Sequence, residues 1–235
     1  MGTMQLDSGT PNFRDTLDML LKGRSDAVMT DAHRDFWLNS AYRHMCLPSV
    51  HRFREMHASY TITLISGDND YTLDETTVGF KITGIRSIYN IMATADTPTA
   101  QKRRLSPRDI RWFDRRTLVA GPPTNYAIEG ETIFIHGVPS AAEAGQLVRV
   151  RCWREPAALS ATTDTTVVAS YFDRPLVKGA QWMAERDLGY RDRAEDTKQE
   201  YVALLNEAPE DGQIEGENWD YQVDVNPSAQ SEAPL

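Results

Sequence analysis

The chain has 235 residues, 40% hydrophobic, 9% aromatic and 25% charged, with a formal net charge of −9. This composition excludes the collagenous and wholly disordered classes, and the length supports one or two folding units whose core needs neither disulfide nor metal. The charge also speaks against a free-standing nucleic-acid binder, which is normally basic overall because phosphate neutralisation supplies most of its affinity.

The first predicted element starts at Asn12, a good N-cap, with Phe13, Leu17, Leu20 and Leu21 on one helical face and Gly23 closing it. Residues 1–11 are expected to be a flexible N-terminus. Thr30 is placed to cap a second helix, with Phe36, Trp37, Ser40, Ala41, His44 and Met45 on one side and Asp31, Arg34 and Arg43 on the other. Pro48 stops or kinks it. Two such helices are marginal alone, so residues 12–55 are expected to form part of a helical bundle.

From Met56 the period changes to two: Ala58, Tyr60, Ile62 and Leu64 alternate with Ser59, Thr61 and Thr63. The turn at 66–70 then predicts a hairpin into Tyr71–Thr72–Leu73. Further strands are predicted at 80–89, 124–128, 132–136 and 147–153, and the clearest second hairpin turns at Glu129–Gly130–Glu131. Between them, Ser106 as N-cap with Pro107 in the first turn predicts a short helix near 106–116. This excursion carries Lys102, Arg103, Arg104, Arg108, Arg111, Arg115 and Arg116 against Asp109 and Asp114, a local charge of about +5. Residues 56–160 are thus expected to form a small, mostly antiparallel β subdomain.

Helical period returns at Asp173, with Leu176, Ala180, Met183 and Ala184 on one face and Gly189 as the stop. The next helix runs from Tyr190 to Asn206 and offers a narrower stripe of Ala194, Tyr201, Leu204 and Leu205. Residues 161–207 are expected to complete the bundle begun by the N-terminal helices. Residues 208–235 contain seven acidic residues and no Lys or Arg, which leaves the rest of the chain nearly neutral. Few core formers occur there, so a flexible acidic arm is expected, with Ile214, Trp219, Tyr221 and Val223 as its apolar anchors. The fold class is α+β: a helical bundle formed by both ends of the chain, an inserted small sheet subdomain, and the arm.

Chemistry is sparse. The five histidines (His33, His44, His51, His57 and His136) contain no pair at three- or four-residue spacing and no HExxH. Cys46 and Cys152 make no CxxC and read as reduced, buried thiols. There is no GxSxG, no GxGxxG after a strand and no P-loop. Asp68, Asp70, Asp74 and Glu75 fall in a turn sequence and read as loop residues. The sequence therefore offers no catalytic, metal or cofactor residues. The first thirty residues lack a secretory pattern and no stretch approaches the ~18 apolar residues of a membrane span, so a soluble protein made inside the cell is expected, with no membrane partner. Within the basic excursion, Trp112 and Phe113 stand between charges, which fits either phosphate contact or a solvated amphipathic turn.

In order and spacing, the elements resemble the head-to-tail adaptor (connector, or head-completion) proteins of tailed bacteriophages. The resemblance runs from Asn12 to Glu207. It is carried by WLNSAYR at 37–43, YTITLISGDNDYTL at 60–73, LSPRDI at 105–110, GPPTNYAI at 121–128, RVRCWREPAALS at 149–160, and the closing helices from Asp173. It implies a virion structural protein at the neck, made in the host bacterial cytoplasm. Copies would form a ring, a dodecamer by the family pattern, under the portal protein. The ring would extend the channel for packaged double-stranded DNA and present a platform for the next neck or tail protein. Terminal segments of such proteins grip the portal, so Ile214, Trp219, Tyr221 and Val223 are expected to do so here. The basic cluster is expected to meet either DNA in the channel or an acidic protein surface. Two alternatives remain: a tail-completion or terminator ring on the tail side of the neck, and a stand-alone α+β enzyme or ligand-binding domain.

Overall fold

A computed structural model describes residues 4–9, 11–21 and 29–207. They fall into two compact units, one helical, made of the described residues up to Met56 and of 155–207, and one of sheets, His57–Arg154.

The helical unit contains α1 (Phe13–Leu21), α2 (Asp31–Met45), α5 (Asp173–Asp187) and α6 (Arg191–Glu207). Its starts and stops have local causes. Asn12 Oδ1 accepts the Asp15 amide at 2.8 Å, and the Thr30 side chain accepts that of His33. α5 ends in a Schellman motif: Gly189, at φ 84°, donates to Arg186 O, and Tyr190 donates to Glu185 O at 2.9 Å. α5 is the central element, buried on most sides through Leu176, Val177, Gly179, Ala180, Ala184 and Glu185, and it packs against α1, α2 and α6. Glu185 is 1% exposed and accepts from Thr197 Oγ1 at 2.7 Å and Gln181 Nε2 at 3.0 Å, a polar lock between α5 and α6.

The buried stripe of α2 is rotated from the predicted one. Phe36 is 61% exposed, whereas Arg34 is buried. The cause is α1: Asp18 accepts Arg34 Nε at 2.7 Å, and Asp31 of α2 accepts Nη1 at 2.9 Å, so the guanidinium is paired with carboxylates as it leaves water. Leu38, Ala41, Tyr42 and Met45 complete the stripe.

The second unit holds two four-stranded sheets. The first has the order β1 (His57–Thr63), β8 (Leu147–Arg154), β3 (Ile82–Ile91), β4 (Lys102–Arg104), with every pairing antiparallel. The second has the order β2 (Asp70–Thr72), β7 (Thr132–His136), β6 (Asn125–Glu129), β5 (Ser106–Pro107), with only β5–β6 parallel. One core joins them, including Ile62, Leu64, Leu73, Ile88, Tyr126 and Val150. Single-turn helices α3 (Glu75–Val78) and α4 (Ile110–Asp114) complete the unit.

The 129–131 hairpin forms as expected between β6 and β7. The hairpin expected at 66–70 does not. β1 gives its whole length to β8 and β2 pairs β7, so the turn carries the chain from one sheet to the other. Both halves of that crossing bury a leucine, Leu64 and Leu73, in the shared core. Alternation fixes which side chains face inward, but leaves the choice of partner strand open.

The helices α2, α5 and α6 come close together at Gly179. A Cβ built there would stand 3.1 Å from the Tyr201 ring and 3.2 Å from Ala41 Cβ. Both neighbours are buried, and Tyr201 is further held by His44 at 3.1 Å. We expect Gly179→Val to lower unfolding free energy in denaturant titrations by about 1–3 kcal/mol through overpacking; an unchanged midpoint would contradict this packing.

Candidate interaction surfaces

The seven predicted cations are divided between two places. Lys102, Arg103 and Arg104 form β4, an edge of the first sheet. Arg108, Arg111, Arg115 and Arg116 surround α4, which packs on β6 of the second sheet. All seven are exposed.

The short helix starts later than the sequence suggested. Asp109 is its N-cap, accepting the Arg111 amide at 2.7 Å. Ser106 and Pro107 are extended because Ser106 N–H donates to Thr124 O and Arg108 N–H to Tyr126 O, the parallel pairing with β6. Proline also biases the residue before it away from the helical region. Trp112 is half-buried, edge-on to Phe113 and His136, with the Arg108 and Arg116 guanidiniums 5.4 and 4.8 Å from its ring. Each such contact at an exposed site contributes about 0.5–1 kcal/mol and holds the arginine in place. Leu118 and Val119 follow at 47% and 60% exposure. Arginine, tryptophan and aliphatic side chains together have the composition of a protein contact surface.

The outer face of the first sheet carries cations that sequence reasoning passed over. Along β8, Val148, Val150 and Cys152 are buried while Arg149 and Arg151 alternate outward. Cross-strand register places Thr61, Arg149, Tyr89 and Arg104 in one row, and Ser59, Arg151 and Ser87 in the next. The Arg151 guanidinium lies 5.3 Å from the Tyr89 ring centroid. Asp96 pairs with both Arg149 and Lys102. Arg86 donates to His57 Nε2 at 3.1 Å, so that nitrogen carries no proton. Burial, reinforced by Arg86 and Arg151, pushes the His57 pKa below its ordinary value, and burial with Arg151 lowers that of Arg86. Like charges thus crowd this face. The signal was present in the alternation of Arg149 and Arg151 within an otherwise apolar strand.

On the helical unit, Arg14 donates to Asp35 and Asp7, and the hydrogen bond to Asp35 pushes its pKa up. Met4 N–H donates to Asp173 Oδ2 at 2.9 Å, and burial raises the Asp173 pKa. Beside this tether is an open depression of about 1140 Å³, lined by Leu20, Tyr171, Val177, Arg174 and Lys178 among others.

Among the described residues, no group of three or more His, Cys, Asp or Glu side chains could hold a metal ion. Cys46 and Cys152 are buried and unpaired, and burial raises both thiol pKa values, that of Cys152 to about 12. Neither forms thiolate readily near neutrality. Among the described residues, no helix is long and apolar enough to cross a membrane. The arm anchors Ile214, Trp219, Tyr221 and Val223 lie outside the described residues.

The SU10 adaptor protein family matches residues 15–226. The chain belongs to that family. It is a family of phage head-to-tail adaptors, so the resemblance read from the ordered motifs is borne out, and the match spans the helical unit and the sheet unit alike. No curated protein matches the chain.

Three histidines of this SU10-family adaptor sit in settings that favour the neutral ring. Burial lowers the pKa of His44, aided by Lys198, of His51 between Phe53 and Phe172, and of His57. In the unfolded chain each protonates near pH 6.5, whereas the folded protein takes up those protons only at lower pH. The folded state therefore binds fewer protons, and stability falls as pH drops through about 6.5. Urea midpoints are expected to be flat between about pH 7 and 8 and to decline toward about pH 5.5; a flat profile across the whole range would contradict neutral buried imidazoles.

Proposed function

We propose that copies of this chain assemble into a ring beneath the portal at the neck of a tailed phage. The ring is twelvefold by the family pattern, extends the channel for packaged DNA, and offers a platform to the next neck or tail protein. The observation that carries the reading is the SU10 adaptor match over 15–226. One feature of the molecule supports it. Cyclic rings join one face of a subunit to a different face of its neighbour, and this chain presents several distinct surfaces: the arginine face, the Trp112 arginine clamp, and the exposed Phe36 and Met19.

The mixture of arginines with Trp112, Leu118 and Val119 favours protein contact over DNA contact at α4. Pure phosphate binding has no use for exposed aliphatic side chains. Partners are then further copies of the chain, the portal, and a downstream neck or tail protein, with the DNA passing through the ring. A ring on the tail side of the neck is the competing assignment.

Native mass spectrometry of the chain alone and mixed with the portal ring of the same virus tests the reading. A discrete complex with one copy per portal subunit is expected. Absence of a complex with an intact portal, together with binding to a tail-side ring, would overturn the portal assignment.

A further inference from the structure

Four strands end the two sheets, and three of them are guarded against further pairing. β4 is Lys102–Arg103–Arg104, β5 has two residues and includes Pro107, and β2 has three and begins with Asp70. Short length, charge and proline are the devices that blunt a sheet edge. β1 has none of them. Its seven residues, HASYTIT, carry no Lys, Arg, Asp, Glu or Pro, and among the described residues it has a strand neighbour on one side only.

The direction of its backbone groups follows from the ladder. Leu64 N–H donates to Gln146 O at 2.8 Å, on the β8 side. Alternation then aims the amides of Ile62, Tyr60 and Ala58 at β8 and those of Thr63, Thr61 and Ser59 outward. On the core face, Tyr60 and Ala58 are only partly buried against the hydrophobic cluster, so the core is left thinly covered at this edge. On the opposite face, Ser59 and Thr61 stand in register with Arg151 and Arg149.

The sequence of the arm contains a segment matched to both faces. Residues 219–225 read WDYQVDV: Trp219, Tyr221, Val223 and Val225 alternate with Asp220, Gln222 and Asp224, and Asn226–Pro227 closes the run. This is the two-residue period of a strand with one apolar and one acidic face. It has the length of β1, and the family match runs through it to residue 226. Eleven residues, 208–218, link it to the end of α6, enough to span about 36 Å when extended.

We propose that residues 219–225 of the arm add to the free edge of β1 as a fifth strand of the first sheet. The apolar face covers Tyr60 and Ala58. Asp220 and Asp224 fall on the arginine face, one strand spacing of about 4.8 Å beyond β1 and within reach of the Arg149 and Arg151 side chains. Main-chain bonds supply affinity and the alternating faces fix the register, as in other strand-addition complexes. The inference goes beyond the neck role and needs no portal.

Residue-resolved amide exchange on the full chain tests it. In the wild type, Ser59, Thr61 and Thr63 are expected to exchange at least about tenfold more slowly than in Val223→Pro, which removes a donor and breaks the strand. Tyr60 and Ile62, bonded to β8, should exchange alike in both chains and report that the sheet is intact. The double variant Asp220→Arg with Asp224→Arg should speed exchange at the same three outward amides. Equal exchange of those amides in wild type and Val223→Pro overturns the proposal. So does a result in which the arm gains protection only when the portal ring is added while the β1 amides stay unprotected; that outcome places the arm on the portal and leaves the neck role standing. Loss of the neck role would instead show as no portal complex, with the β1 protection unaffected.

Discussion

The pairing of β1 with β8 is the constraint on which the rest of the structure depends. His57 stands opposite Trp153, so the chain enters and leaves the sheet unit on adjacent antiparallel strands. An insertion whose ends emerge side by side leaves the flanking segments free to form one compact unit. Closing so long an excursion costs only slowly rising entropy, and seven cross-strand pairs offset it. The helices from the two ends of the chain can then share α5 as their common core. A reciprocal pair fixes the return path: Asn39 Oδ1 accepts the Leu159 amide at 2.7 Å and its Nδ2 donates to Leu159 O at 2.9 Å. Trp37 Nε1 similarly donates to Asp187 at 3.0 Å, tying α2 to the end of α5.

The sheet unit concentrates positive charge on surfaces, while in the helical unit two arginines are tied to aspartates. Arg34 is buried beside Asp18 and Asp31, and the half-buried Arg14 pairs with Asp7 and Asp35. The sheet arginines are held differently. Arg151 leans on Tyr89, Arg108 and Arg116 flank Trp112, and Arg149 and Lys102 share Asp96. Guanidiniums held by aromatic rings keep their hydrogen-bond donors available to a partner. The cation-free, strongly acidic 208–235 is a complementary sequence within the same chain.

Much of this was legible in the residues. The capping of α1 and α2 by Asn12 and Thr30, the stop at Gly189, and the 129–131 hairpin follow local rules, and local rules sufficed. Phe36 and Arg34 exchanged places because a partner helix supplied Asp18, a tertiary fact that periodicity does not carry. The turn at 66–70 was recognisable as a turn, but its flanking strands belong to different sheets, since a strand's partner depends on long-range competition. Ser106 resembled a helix cap and became a strand because β6 was available to pair with it. The arginine face was hidden by its assembly from β3, β4 and β8, although the alternation of Arg149 and Arg151 announced part of it. Membership of the adaptor family was legible only from the order of several weak motifs.

A head-to-tail adaptor is defined by where it sits and how many copies sit there. The most direct measurement is a cryo-electron microscopy reconstruction of the neck of the virion that carries this chain. The account predicts a closed ring of this fold in contact with the portal on one side and with the next neck or tail protein on the other. Density for the chain confined to the far side of the neck, or its absence from the virion, would contradict it.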